Sequence, residues 1–156
     1  MKLFLTMMLV AGSLQTQDHH GQLKARGDHA MGFDQAKTTH HFYLYHDGGA
    51  IEVTVNDPKD MANLSAIRTH LPHIAKMFGA GDFSIPHFVH DDKVAGTDTM
   101  KRLRERIVYN YQDIADGGRV RITTADGHAL TAVHEFLRYQ IADHKTGDST
   151  QVQRAP

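Results

Sequence analysis

Thirteen histidines and seven methionines stand in this chain of 156 residues beside no cysteine at all. Imidazole and thioether are ligands for copper in both oxidation states, and neither forms disulfides. His70, His73 and Met77 fall within roughly 60° of one another on a helix. Residues three apart on such a stripe can chelate one ion; the same stripe also reads as the flank of an amphipathic helix with Met77 as filler. His29 and Met31 form a His-x-Met triplet between Asp28 and Asp34. Thioether beside imidazole suits copper(I) and tolerates copper(II), whereas Met31 and Phe33 equally serve as apolar anchors. His40 and His41 open a strand and must face opposite ways. His41, on the side of Tyr43 and Tyr45, is the one expected to meet His29 and Met31. His87 and His90 lie in a polar connector that reads as a solvated loop. His134 and His144 read as structural.

The expected ligands are therefore His29, Met31, His41, His70 and His73, with Met77 and His90 in reserve, and not necessarily around one ion. Copper is the expected metal and zinc a possible one. The chain lacks a Gly-x-Ser-x-Gly elbow, a P-loop, a Gly-x-Gly-x-x-Gly turn and a His-Glu-x-x-His helix. A hydrolase working through metal-bound water would need three ligands and an open position. Binding is thus favoured over catalysis. Lys and Arg number 17 against 18 Asp and Glu, a formal net charge of -1. Nothing basic is left over to hold nucleic acid or a membrane surface. The expected partners are a metal ion and, beyond it, another exported protein.

The elements that must position these residues can be read in turn. Residues 1–17 have one Lys, a short apolar run and small residues after it, the form of a secretory signal peptide too short to span a bilayer. This predicts a periplasmic or secreted protein, free of the membrane after cleavage. Residues 18–37 lack periodicity and read as an arm, the one nearby element able to cross the sheet's polar face. Asp47-Gly48-Gly49 and Asp116-Gly117-Gly118 each sit between two alternating runs and each run closes on an Asp, so one hairpin is used twice. A helix follows each. The first, about Pro58 to Phe78, has Asp57 as expected N-cap and Met61, Leu64, Ile67, Leu71, Ile74 and Phe78 on one stripe. The second, about His128 to His144, has Asp126 as cap and Leu130, Val133, Leu137 and Ile141 inward. An irregular connector from Gly81 to Gly96 and a short helix over Thr97 to Arg106 join the units. The expected fold is α+β: two pseudo-repeated β-hairpin–helix units (about 38–80 and 105–146) in one domain over 38–148. They form a four-stranded antiparallel sheet with both helices on one face, and residues 149–156 make a disordered tail. Ile51, Val53, Val55, Val120 and Ile122 should face the core. Glu52, Thr54, Arg119, Arg121 and Thr123 should face away, forming a polar surface that offers a second way to bind a small ligand or a protein.

The stretch Ala25-Arg26-Gly27-Asp28-His29-Ala30-Met31-Gly32-Phe33-Asp34-Gln35-Ala36-Lys37-Thr38-Thr39-His40-His41-Phe42 resembles a signature of a family of small exported bacterial proteins. The ending Phe136-Leu137-Arg138-Tyr139-Gln140-Ile141 resembles it too. The likeness covers about Gly21 to Asp148 and implies export but no particular activity. Some members carry an aspartate carbamoyltransferase label. It does not transfer: such enzymes need about two domains of ordinary size, and the Ser-Thr-Arg-Thr phosphate loop is missing here.

Overall fold

The two Asp-Gly-Gly stretches close two hairpins. β1 (Thr38–Tyr45) and β2 (Gly48–Val55) form the first, and β3 (Ile107–Ile114) and β4 (Gly117–Thr124) the second. The structure is a computed structural model and describes residues 26–27 and 30–156. β2 pairs antiparallel with β4, so one sheet runs β1-β2-β4-β3. The pairing is two-fold symmetric about Ile51 and Val120, which lie opposite each other. One backbone bond is made twice in consequence: Val55 N–H to Asp116 O at 2.8 Å and Thr124 N–H to Asp47 O at 3.0 Å. The close approach explains the glycines. A Cβ on Gly117 would lie 1.8 Å from the Val53 carbonyl oxygen, and one on Gly48 would lie 2.1 Å from that of Ile122.

After the arm, four helices pack with the sheet among the described residues: α1 (Met61–Gly79), α2 (Ser84–His90), α3 (Thr97–Arg102) and α4 (Gly127–His144). The two long ones cover the same face of the sheet, and they are exchanged. α1 lies chiefly on the second hairpin and α4 on the first. The second glycine of each repeat makes room for the exchange. A Cβ on Gly49 would sit 2.2 Å from Leu137 Cδ1 of α4, and one on Gly118 would sit 3.0 Å from Leu71 Cδ1 of α1.

The core between the layers holds Ile51, Val53, Val55, Val120 and Ile122 from the sheet, as the alternation requires. Leu64, Ile67, Leu71, Ile74 and Phe78 join it from α1, and Val133, Leu137 and Ile141 from α4. Two residues depart from their expected stripes. Met61 is the first residue of α1, beyond the core's edge, and is 63% exposed; Leu130 is half-buried.

Asp126 caps α4 as expected, accepting from the N–H groups of His128 and Ala129. The cap of α1 is Asp60 instead of Asp57, its carboxylate accepting from Asn63 N–H at 3.1 Å. Asp57 accepts from Lys59 N–H and folds the turn before the helix. The connector expected to be irregular contains α2. Pro86 lies in the first turn of α2, where its missing N–H costs nothing, and Val89 and His90 are buried. The short helix expected over Thr97 to Arg106 divides into α3 and a 3-10 turn at Arg104–Arg106, with Met100 fully buried and Leu103 half-buried.

The arm and the tail also differ from expectation. Phe33 is buried in the core and Asp34 N–H donates to Asn63 of α1, so the described part of the arm lies on the helical side of the sheet. Burial of Phe33 and Met31 there outweighs anything the polar face offers them. Residues 149–156 are not a loose tail: Gln153 pairs with β1, donating to Leu44 O at 2.9 Å and accepting from His46 N–H at 3.2 Å. This segment covers an edge that would otherwise expose unpaired backbone groups. Among the described residues, no helix is long and apolar enough to cross a membrane.

Candidate metal-binding cavity

The histidines sort by whether their nitrogens have partners. His134 is buried with Nε2 at 2.9 Å from Tyr45 O and 3.0 Å from Gly48 O, a structural tie between α4 and the first hairpin. His90 is 3% exposed and held on both sides, by Asp143 at Nδ1 and by Gln140 Oε1 at 2.9 Å from Nε2. His87 meets Thr97 Oγ1 at 3.0 Å. His40 and His70 are different: the Nε2 atom of each is buried with no hydrogen-bond partner among the described residues.

Both orphaned imidazoles line one cavity between the sheet, α1, α2 and α4, together with Met31, His90, Gln140 and His144. The remaining walls are apolar, with Phe42 and Val53 from the sheet, Ile74 and Phe78 from α1 and Phe136 from α4. The cavity holds about 50 Å³, room for an ion or a few waters. Phe33 packs against both imidazoles, stacked on His40 at 5.9 Å and edge-on to His70 at 5.8 Å. His144 stacks on His40 at 5.6 Å and meets His90 edge-on at 5.0 Å.

Burial sets the protonation of this pair. It pushes His40 down to about 3, with the nearby imidazoles of His144, His70 and His41 adding repulsion. Burial, with His73 beside it, takes His70 down to about 4. Both rings are therefore neutral at neutral pH, and in the tautomer that carries its proton on Nδ1 each presents the Nε2 lone pair.

The internal symmetry gives these positions counterparts in the second half. By strand register His40 corresponds to Tyr109, and through the Leu71–Gly118 and Leu137–Gly49 contacts His70 corresponds to Phe136 and His144 to Phe78. In the second half Phe78 packs edge-on against Tyr109 at 5.8 Å, where the first half has His144 against His40. Aromatic residues thus fill these places in one half and imidazoles fill them in the other.

Of the seven sequence-predicted ligands, the cavity collects Met31, His70 and His90. His41 points to the opposite face, with Nδ1 2.9 Å from Asp148 Oδ1 and its ring stacked on Tyr43. His73 is exposed, and Met77 packs half-buried against the core. His29 and the residues read as a signal peptide lie outside the described residues. His90 is buried, not solvated as its connector suggested. Two cavity residues were missed. His40 was set aside for His41 because the arm was placed on the polar face. The alternation itself puts His40 with Phe42 and Leu44 on the core side, which was the available signal. His144 reads as structural from the sequence alone.

Among the described residues, no three His, Asp or Glu side chains converge as a metal cage. What the cavity offers is two unpartnered imidazole nitrogens, the thioether of Met31 and the unpartnered amide nitrogen of Gln140. No family model, curated protein or solved structure matches this chain.

Proposed function

We propose that the protein is an exported metal-binding protein that buffers or delivers copper, holding one ion in the cavity with His40, His70 and Met31. The observation that carries this reading is the pair of buried Nε2 atoms without partners. An unsatisfied buried polar atom costs about 1–3 kcal/mol; the second half of the same fold avoids it where Phe136 matches His70, while Tyr109, which matches His40, leaves its own buried hydroxyl without a partner among the described residues. A cation bound to both lone pairs removes the penalty and gives the two imidazoles a purpose. Burial makes them neutral, so no proton has to leave when an ion binds. The thioether adds the softness that selects copper over harder ions.

The polar face of the sheet is the competing site. Its charges already have partners within the protein: Arg119 pairs with Glu52 at 2.7 Å, and Arg121 pairs with Asp47 at 2.5 Å and lies over the Tyr45 ring. Such satisfied pairs leave less to offer a ligand than free lone pairs do.

The test is an anaerobic titration of the purified chain with copper(I) against a chromogenic chelator, beside His40→Phe/His70→Phe. Both replacements copy the aromatic filling of the other half, so the fold should survive. One-to-one binding that falls at least about 100-fold in the double variant supports the reading, since two ligands are lost. Binding that is weak, or equally tight in the variant, refutes it.

A further inference from the structure

We infer that this cavity accepts a soft monovalent ion, copper(I) or its redox-inert analogue silver(I), rejects divalent ions, and depends on Met31 for the choice. The inference rests on the metal-binding reading above and narrows it to one charge class. Charge is the first ground. No Asp or Glu is among the described residues that line the cavity, the Asp143 carboxylate standing behind His90, so a bound ion meets no carboxylate in the wall to offset its charge. The solvation lost on burial grows with the square of that charge, about fourfold more for a divalent than for a monovalent ion.

Ligand number is the second ground. Zinc takes four ligands in structural sites and at least three from protein in catalytic ones. Among the described residues no three His, Asp or Glu side chains come together, and His90 already has a partner on each nitrogen. Two imidazoles with one thioether satisfy copper(I) or silver(I), which accept low coordination numbers. Softness is the third ground. Thioether sulfur favours copper(I) over the harder divalent ions, and Met31 is the methionine that lines the cavity. Copper(II), which prefers a tetragonal set of nitrogen and oxygen donors, finds two imidazoles, fewer donors than it needs.

The experiment measures silver(I), copper(I), zinc(II) and copper(II) affinities by competition in chloride-free buffer. It compares the unaltered chain with Met31→Leu, which keeps the volume, and Met31→His, which replaces the soft ligand by a harder one. Thermal unfolding of each metal-free variant confirms the fold. The monovalent ions should bind at least about 1,000-fold more tightly than zinc(II). Met31→Leu should weaken silver(I) at least about tenfold and leave zinc(II) unchanged, and Met31→His should narrow the gap from both sides. Zinc(II) within about tenfold of silver(I), or silver(I) binding untouched by Met31→Leu, overturns this inference while the broader metal-binding reading stands. Failure of every ion to bind overturns both.

Discussion

His40 carries most of the argument at the scale of single residues, and it is kept neutral against its ordinary behaviour. Its folded value near 3 lies below the ordinary 6.5. Between those limits the unfolded chain takes up a proton that the folded chain refuses. The contribution is therefore complete above pH 6.5 and is lost as pH falls, at up to about 1.4 kcal/mol per pH unit. The nearby imidazoles of His144, His70 and His41 add repulsion against a proton on His40. Chemical denaturation of the metal-free protein at pH 7.5 and pH 5 should show a loss about 2 kcal/mol larger than in His40→Phe. Equal losses would mean that His40 accepts its proton in the folded state. At pH 7.5 His40→Phe should be more stable than the unaltered chain by about 1 kcal/mol, because an unsatisfied polar atom is exchanged for carbon; a fall in the melting temperature would count against that. The candidate ligands were legible in part. Residue type pointed to Met31 and His70. The choice between two adjacent histidines depended on where the arm lies, which the buried Phe33 settles and spacing does not.

Glycine contacts govern the elements. The repeated Asp-Gly-Gly was plain in the sequence because a hairpin turn and its flanking alternation are local features. What the local pattern does not contain is the exchange of helices. Periodicity marks the apolar face of α1 but not which hairpin that face covers. Gly118 under Leu71 and Gly49 under Leu137 decide it. The expectation follows that Gly117→Ala, whose Cβ has 1.8 Å to the Val53 oxygen, forces β2 and β4 apart. Thermal and urea unfolding should report a loss of at least about 3 kcal/mol, well above an ordinary surface substitution; a loss below about 1 kcal/mol would mean that the strands are not so closely paired. α2 gives little local signal because it is only seven residues long and is followed by the polar tract Asp91-Asp92-Lys93. Its one strong signal, Val89 and His90 turned inward together, is tertiary.

For the molecule as a whole, one scaffold is used twice and specialised once. The α+β architecture and the sheet were legible because they rest on repeated local signals. The cavity was not, because it is assembled from the arm, β1, α1, α2 and α4, elements far apart in the chain. The C-terminal segment belongs to this scale as well. Removal of residues 150–156 takes away the carbonyl that receives the His46 N–H, so hydrogen exchange at that amide should quicken by more than about tenfold while the α4 core stays protected. Unchanged exchange would place the segment elsewhere in solution. The most direct examination of the copper site is X-ray absorption at the copper edge on the copper(I)-loaded protein. Two imidazole nitrogens and one sulfur around the ion, with the sulfur missing in Met31→Leu, are the expected result. A sulfur-free shell of nitrogen and oxygen in the unaltered protein would rule out the site formed by His40, His70 and Met31.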